Sequence, residues 1–231
     1  MGAVRSERSY PAGYGPVRPE ANYRPWDVDE RFRVLYATVA DYTKVDEARC
    51  YLLWRTALQL NAVEGAFVEV GVWRGGTGAL LCDAASRLER PRHVYLADTF
   101  RGVVKAGPRD DYYKGGEHAD ASADTVKALL ETVGANNATV LEGVFPEETG
   151  GEIPEGAIAL CHIDVDVYQS ARDVAEWVWP RMPVGGVIVY DDYGFYGCEG
   201  VTAFGNEEYE RGDRLFLHNL SGQAVVVKLT S

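Results

Sequence analysis

Short apolar runs separated by amphipathic stretches recur from Ala66 to the end of the chain, and this alternation limits the fold more than any other feature. The runs AFVEVGV, HVYLAD, ATVLEG, AIALCHIDVD and GGVIVYDD are rich in Val, Ile and Leu. Runs of this kind are buried on both faces, which requires a mostly parallel sheet covered above and below by helices. Helical spacing predicts those helices near Gly76 to Leu88, from Ser122 to Val133, over SARDVAEWVWPRM and near Glu199 to Tyr209. The last two runs, RLFLHNL and QAVVVKL, flank NLSGQ, whose Ser-Gly is a hairpin signal, so one antiparallel edge strand is expected. The fold class is therefore α/β, with a seven-stranded, mostly parallel sheet and helices on both faces.

Upstream, DVDERFRVLYATVA places Phe32, Leu35, Tyr36 and Val39 at helical spacing, and a second helix follows Asp46 with Cys50, Leu53, Trp54, Ala57, Leu58 and Leu60. The stretch before Pro25 carries Pro11, Pro16, Pro19 and Pro25 among Tyr10, Tyr14 and Tyr23, so it is an arm rather than a regular element. It is either a terminal tail or an arm that folds over a site. The 231 residues suit one domain with decoration. Residues 1–62 read as the arm and helical extension, and residues 63–231 as the domain that carries the chemistry.

A net charge of −12 disfavours phosphate backbones and anionic lipid, so nucleic acid and membranes are not expected partners. The four cysteines form no C-x-x-C pair and lack histidines at zinc spacing, which points to reduced thiols rather than disulfides or structural zinc. The opening residues lack an apolar leader core, and no run approaches roughly 18 consecutive apolar residues. The expected compartment is the cytoplasm.

In open parallel sheets, ligands bind outside the carboxyl ends of the strands. The first strand ends in Glu69-Val-Gly71-Val-Trp-Arg-Gly75-Gly76-Thr77-Gly78, a glycine-rich turn into a helix whose free amides allow close approach of a cofactor tail. It does not fit G-x-G-x-x-G, and no G-x-x-x-x-G-K-[ST] occurs, which disfavours NAD, FAD and P-loop nucleotides. The second strand ends in Asp98-Thr99, where a carboxylate could accept both hydroxyls of a ribose or could simply cap the following turn. Gly143 and Phe145 after the third strand offer a flat apolar edge for an adenine. The fourth and fifth strands end in His162-Ile-Asp164-Val-Asp166 and Tyr190-Asp191-Asp192, with 27 residues from Asp164 to Asp191, enough for one helical crossover. Carboxylates crowded at one rim need a cation, and an all-oxygen set suits Mg²⁺ or another hard divalent ion. Asp164, Asp191 and Asp192 are the candidate ligands, with Asp166 fixing the next turn.

The segments EVGVWRGGTG, ADTFRG, LEGVFPE, HIDVDVYQSARD and PVGGVIVYDDYG resemble the class I S-adenosylmethionine-dependent O-methyltransferases of macrocin, mycinamicin and novobiocin type. Five βα steps closed by a hairpin match their Rossmann-like order. The resemblance implies S-adenosylmethionine along the glycine loop, with Glu69, Gly71, Gly75, Gly76, Thr77, Asp98, Thr99, Gly143, Phe145 and Asp164 as cofactor residues. It also implies Mg²⁺ on Asp164, Asp191 and Asp192, Asp164 as catalytic base, a sugar-containing acceptor and a homo-oligomer. Catechol-type relatives carry a lysine three residues after the first metal aspartate. Val167 stands there in this chain, so a carboxylate or His162 must take the proton. The loop RGVVKAGPRDDYYKGGEHAD, which holds His118, matches no acceptor motif.

Two other readings remain. Ile163-Asp164-Val-Asp166-Val167 fits the D-x-D motif of haloacid-dehalogenase-like phosphatases, although the 27-residue gap leaves no room for their intervening Ser/Thr and Lys strands. A non-catalytic nucleoside-binding protein would have to retain an uncompensated carboxylate rim.

Overall fold

The computed structural model describes residues 10–18 and 20–231. Two helices, α1 (Glu30–Val39) and α2 (Glu47–Leu58), precede β1 (Ala66–Val70) and α3 (Gly76–Ser86). The chain continues through β2 (Val94–Asp98), α4 (Ala123–Thr132), β3 (Ala138–Glu142), β4 (Ile158–Ile163), α5 (Tyr168–Val178) and β5 (Val187–Tyr190). It closes with α6 (Glu199–Tyr209) and the hairpin β6 (Arg214–Asn219) and β7 (Gln223–Lys228). Local chemistry sets the helix starts: Asp29, Asp46 and Ser122 accept backbone N–H groups at the first turns of α1, α2 and α4.

The seven strands are ordered β3-β2-β1-β4-β5-β7-β6. β1 to β5 are parallel, and β7 runs antiparallel to both of its neighbours. The antiparallel strand thus lies one place in from the edge, and β6 forms the edge itself. The order reverses between β1 and β4, which opens a crevice at their carboxyl ends. Gly71 closes this point: Asp164 N–H donates to the Val70 carbonyl at 2.9 Å, and Gly71 N–H donates to Ala97 at 3.0 Å. Gly71 has φ +92°, and a Cβ there would meet the Asp164 carbonyl oxygen at 1.6 Å, so only glycine fits.

Period-two alternation sends Phe67, Leu96, Leu160 and Val189 to one face of the sheet and Val68, Cys161, Ile163 and Tyr190 to the other. The first face packs on α1 to α4 through Phe32, Leu53, Trp54 and Leu80, so the N-terminal helices share the core of the sheet. The second packs on α5 and α6 through Val174, Val178 and Phe204. No helix among the described residues is long and apolar enough to cross a membrane.

One buried ion pair ties the hairpin to α6. The Arg214 and Glu208 side chains are each 2% exposed and paired. Arg214 also donates to Asp213 at 2.7 Å and lies 3.6 Å over the Trp179 ring. Removing Arg214 leaves buried Glu208 with only the half-exposed Arg211, at 3.2 Å, to offset its charge. Arg214→Met is expected to lower the unfolding free energy by about 3 kcal/mol in urea titration, and adding Glu208→Gln is expected to recover much of that loss. A loss below about 1 kcal/mol in the single variant would contradict the pairing.

Candidate functional site

A cavity of about 630 Å³ lies at the carboxyl ends of the central strands. Its wall includes Gly71 and Thr77 from the β1–α3 turn, Asp98 and Thr99 after β2, and Gly143 and Phe145 after β3. Asp164, Asp191 and Asp192 form its floor. Glu69, Gly75 and Gly76 lie behind this wall: Glu69 is fully buried, Gly75 turns the chain into α3 at φ +96°, and Gly76 faces Tyr42 and Thr43.

Asp98 organises the turn above it. One carboxylate oxygen accepts N–H from Val72 and Trp73, both at 2.8 Å, and the other accepts N–H from Phe100 at 2.7 Å. A carboxylate offers about four acceptor positions. The protein takes three, so one further hydrogen bond is available to a ligand.

β5 ends at Tyr190, which frees Asp191 and Asp192 from strand alternation. Oxygens of Asp164, Asp191 and Asp192 lie within 4.8 Å of one another. Their environments differ. Asp192 accepts N–H from Val165 at 3.1 Å and Asp166 at 2.8 Å, so Asp192 fixes the turn in which Asp166 adopts φ +65°. Burial, together with Asp191 and Asp192, pushes the Asp164 carboxyl well above the usual range. Burial, with Asp166 and Asp191, does the same to Asp192. Asp191 moves the other way: burial opposes its charge, but His162 and Arg49 hold it ionised below the ordinary value.

Arg49 is the part of that cationic support that sequence reasoning missed. Arg49, on α2, donates to Asp46 at 2.6 Å and forms an ion pair with the Asp191 carboxylate. Its guanidinium also lies 4.6 Å from the centre of the Phe195 ring. Gln223, fully buried at the start of β7, donates to Asp191 at 2.6 Å. His162 is fully buried, with Nδ1 2.8 Å from Glu69 and Nε2 3.4 Å from Asp191. Burial opposes its charge, yet the two carboxylates raise its pKa to about 10. Both ring nitrogens are engaged beneath the floor, so His162 is a structural cation. A signal for Arg49 existed: it falls on the helical stripe of Cys50, Leu53 and Ala57, where an arginine needs a buried partner.

Asp46, Glu69, Asp164, Asp166, Asp191 and Asp192 stand against only Arg49 and His162 in this network, an excess of acidic groups. The hard oxygen donors of Asp164, Asp191 and Asp192 fit a divalent cation. The Cys198 thiol lies 3.8 Å from Asp166 and 3.9 Å from Asp192, and burial with these carboxylates raises its pKa, so it stays protonated.

The open side of the cavity is aromatic. Tyr112, Tyr113, Phe195 and Tyr196 line it, together with His118. His118 sits 3.3 Å from the Tyr113 hydroxyl. Tyr193 instead packs on Phe216 and His218. The arm reaches the same region, with the rings of Tyr10 and Tyr14 each 5.7 Å from Tyr196. The loop after β2 is pinned from below: Asp110 accepts from Tyr168 N–H at 2.9 Å, and Lys105 pairs with Asp173 at 2.7 Å.

The strand order, the glycine turn over Asp98 and the acidic floor define the architecture of the class I O-methyltransferases. NovP, an O-methyltransferase of known structure, superposes with TM-score 0.69 at 24% identity, covering 82% of this chain and 83% of that one. The calicheamicin methyltransferase CalS11 gives 0.66 at 18% identity over 94% and 99% of the two chains. The model of the macrocin-O-methyltransferase (TylF) family matches residues 21–211, and the chain belongs to that family. Among its relatives, the 8-demethyl-8-(2,3-dimethoxy-alpha-L-rhamnosyl)-tetracenomycin-C 4'-O-methyltransferase of Streptomyces olivaceus is 33% identical over 149 residues, 60% of this chain and 56% of the relative. The mycinamicin III 3''-O-methyltransferase of Micromonospora griseorubida is 30% identical over 180 residues, 72% of this chain and 66% of the relative. The matched stretches thus span a little over half to about two thirds of these relatives' length.

A histidine whose folded pKa is raised contributes stability that is fully present below its ordinary value of 6.5 and is lost as pH rises through about 10. In the metal-free protein, the nitrogen-15 resonances of His162 are expected to keep the imidazolium pattern from about pH 5 to pH 8, where an ordinary histidine titrates. A midpoint near 6.5 would contradict the Glu69–His162–Asp191 network.

Proposed function

We propose that this chain transfers a methyl group from S-adenosylmethionine to a sugar hydroxyl in a Mg²⁺-dependent reaction of secondary metabolism. The acceptor is a nucleotide-deoxysugar or a glycosylated natural product. The observation that carries this reading is the convergence of Asp164, Asp191 and Asp192 on the floor of a cavity walled by the glycine turn and Asp98. The relatives' names supply the sugar and the antibiotic context. Family membership removes the support for a phosphatase.

S-adenosylmethionine supplies an electrophilic methyl group on a sulfonium, and a divalent cation on the three aspartates supplies positive charge that acidifies a bound hydroxyl by several units. The protein's own residues do the rest. The open position on Asp98 accepts from a ribose hydroxyl, while Gly143 and Phe145 bracket the base. Asp164 is the group placed to accept the acceptor's proton, because its carboxylate lines the cavity floor beside Asp191 and Asp192. Arg49 and His162 keep Asp191 ionised beside it. Phe195, Tyr196 and Tyr112 give the acceptor an aromatic wall that excludes water and orients the oxygen, and positioning of this kind contributes roughly 7–11 kcal/mol. The exposed apolar side chains of Tyr23 and Val28, before α1, and of Val34 on α1 support self-association through the N-terminal region.

Asp164→Asn is expected to reduce kcat by about 10²- to 10⁴-fold at saturating S-adenosylmethionine and Mg²⁺ in steady-state kinetics. Chelation of divalent metal is expected to abolish turnover, and Mg²⁺ to restore it. Full activity under chelation would refute the metal's role. Asp191→Asn is a poorer probe, since it also strands Arg49 and His162 and is expected to lower the melting temperature.

A further inference from the structure

His118, on the open side of the cavity, has φ +65°, the left-handed region that a residue with a side chain seldom adopts. The surrounding loop imposes that state. The Glu117 carboxylate accepts N–H from Lys114 and Gly115, both at 2.8 Å. The Glu117 carbonyl accepts Val103 N–H at 2.8 Å, and the Val103 carbonyl accepts Gly116 N–H at 2.9 Å. Gly102 leaves room for this contact, since a Cβ there would lie 2.3 Å from the Glu117 carbonyl oxygen.

The ring is fixed as well. Its Nε2 meets the hydroxyl of Tyr113 at 3.3 Å. That hydroxyl is also hydrogen-bonded to Asp166, whose own N–H donates to Asp192 at 2.8 Å. A phenol has a single hydrogen to give. Directed to the Asp166 carboxylate, it leaves the phenol oxygen as the acceptor towards His118, so Nε2 carries the imidazole hydrogen. In the neutral ring Nδ1 then holds a bare lone pair, and no group among the described residues donates to it. His118 is thus bridged to Asp166 by one phenol and shares the cavity wall with Tyr112 and Tyr196, with an acceptor nitrogen free.

A sugar presents several hydroxyls of similar reactivity. The aromatic wall can hold its apolar face, but only a placed polar group distinguishes one hydroxyl from the next, because a site built to hydrogen-bond an O–H rejects the ligand that lacks it. We infer that His118 is a specificity-determining residue: its Nδ1 accepts a hydrogen bond from an acceptor hydroxyl other than the one methylated, and Tyr113 positions the ring. This rests on the sugar-methylation reading above. The proton of the reacting hydroxyl still goes to Asp164. The contact of His118 is made in the ground state and the transition state alike, so its effect falls on KM rather than on kcat.

The test is steady-state methylation by the full chain of methyl α-L-rhamnoside, a sugar type named in one relative's activity, and of its monodeoxy analogues, at saturating S-adenosylmethionine and Mg²⁺. His118→Ala is expected to raise KM for the rhamnoside about tenfold, the upper end for a neutral hydrogen bond, and to change kcat far less. That penalty is expected to vanish for the one analogue that lacks the hydroxyl held by Nδ1. His118→Asn, which tolerates the left-handed backbone and carries an amide oxygen close to the Nδ1 position, is expected to recover most of the affinity. An unchanged KM in His118→Ala would overturn the assignment, and so would an equal loss for every analogue, the mark of a merely structural role. Failure of the unmodified protein to methylate the rhamnoside would instead count against the sugar-acceptor reading itself.

Discussion

A protonated imidazole held between two buried carboxylates is the constraint on which the site depends. His162 bridges Glu69 on β1 to Asp191 after β5, and Arg49 approaches Asp191 from α2. Four separate stretches of chain are thereby fixed around one charge. Glu69 retains an oxygen without a partner, and Gly78 leaves the room it occupies, since a Cβ there would lie 2.8 Å from that oxygen. Burying a histidine and three flexible side chains is unfavourable unless each charge is matched. The geometry matches them for Asp191 and leaves Asp164 and Asp192 short of positive charge. The floor is therefore complete as scaffold and incomplete as an electrostatic set.

The same network explains why the N-terminal helices belong to the site as well as to the core. Phe32, Leu53 and Trp54 dock α1 and α2 on the sheet, and that docking delivers Arg49 to Asp191. Gln223 gives β7 a comparable role, because its amide reaches Asp191 only if β7 lies directly against β5. Packing, register and electrostatics thus agree on one arrangement.

Much of this was legible in the residues. Continuous apolar runs with helical segments between them specify a covered parallel sheet, and strand ends are where such sheets bind ligands, so Asp98, Asp164, Asp191 and Asp192 could be placed in advance. The hairpin could be read, but not which of its strands docks on β5, because both RLFLHNL and QAVVVKL carry apolar residues on each face. Arg49 and Asp191 are 142 residues apart, and no local pattern records such a contact. Asp98 shows a further limit: the ribose and capping readings were posed as alternatives, yet its carboxylate caps Phe100, supports the glycine turn and still has one acceptor position left. In the loop after β2, Asp110 and Lys105 act through non-local partners, so its shape over the cavity was not legible.

The central claim is that the acidic floor holds more negative charge than the protein neutralises. Calorimetric titration with Mg²⁺, run near neutral pH in two buffers of different ionisation enthalpy, tests it most directly. The account predicts one site per chain, proton release on binding from the carboxyls whose proton affinity is raised, and loss of both in Asp192→Asn. Absence of binding at millimolar Mg²⁺, or binding that survives Asp192→Asn unchanged, would contradict it.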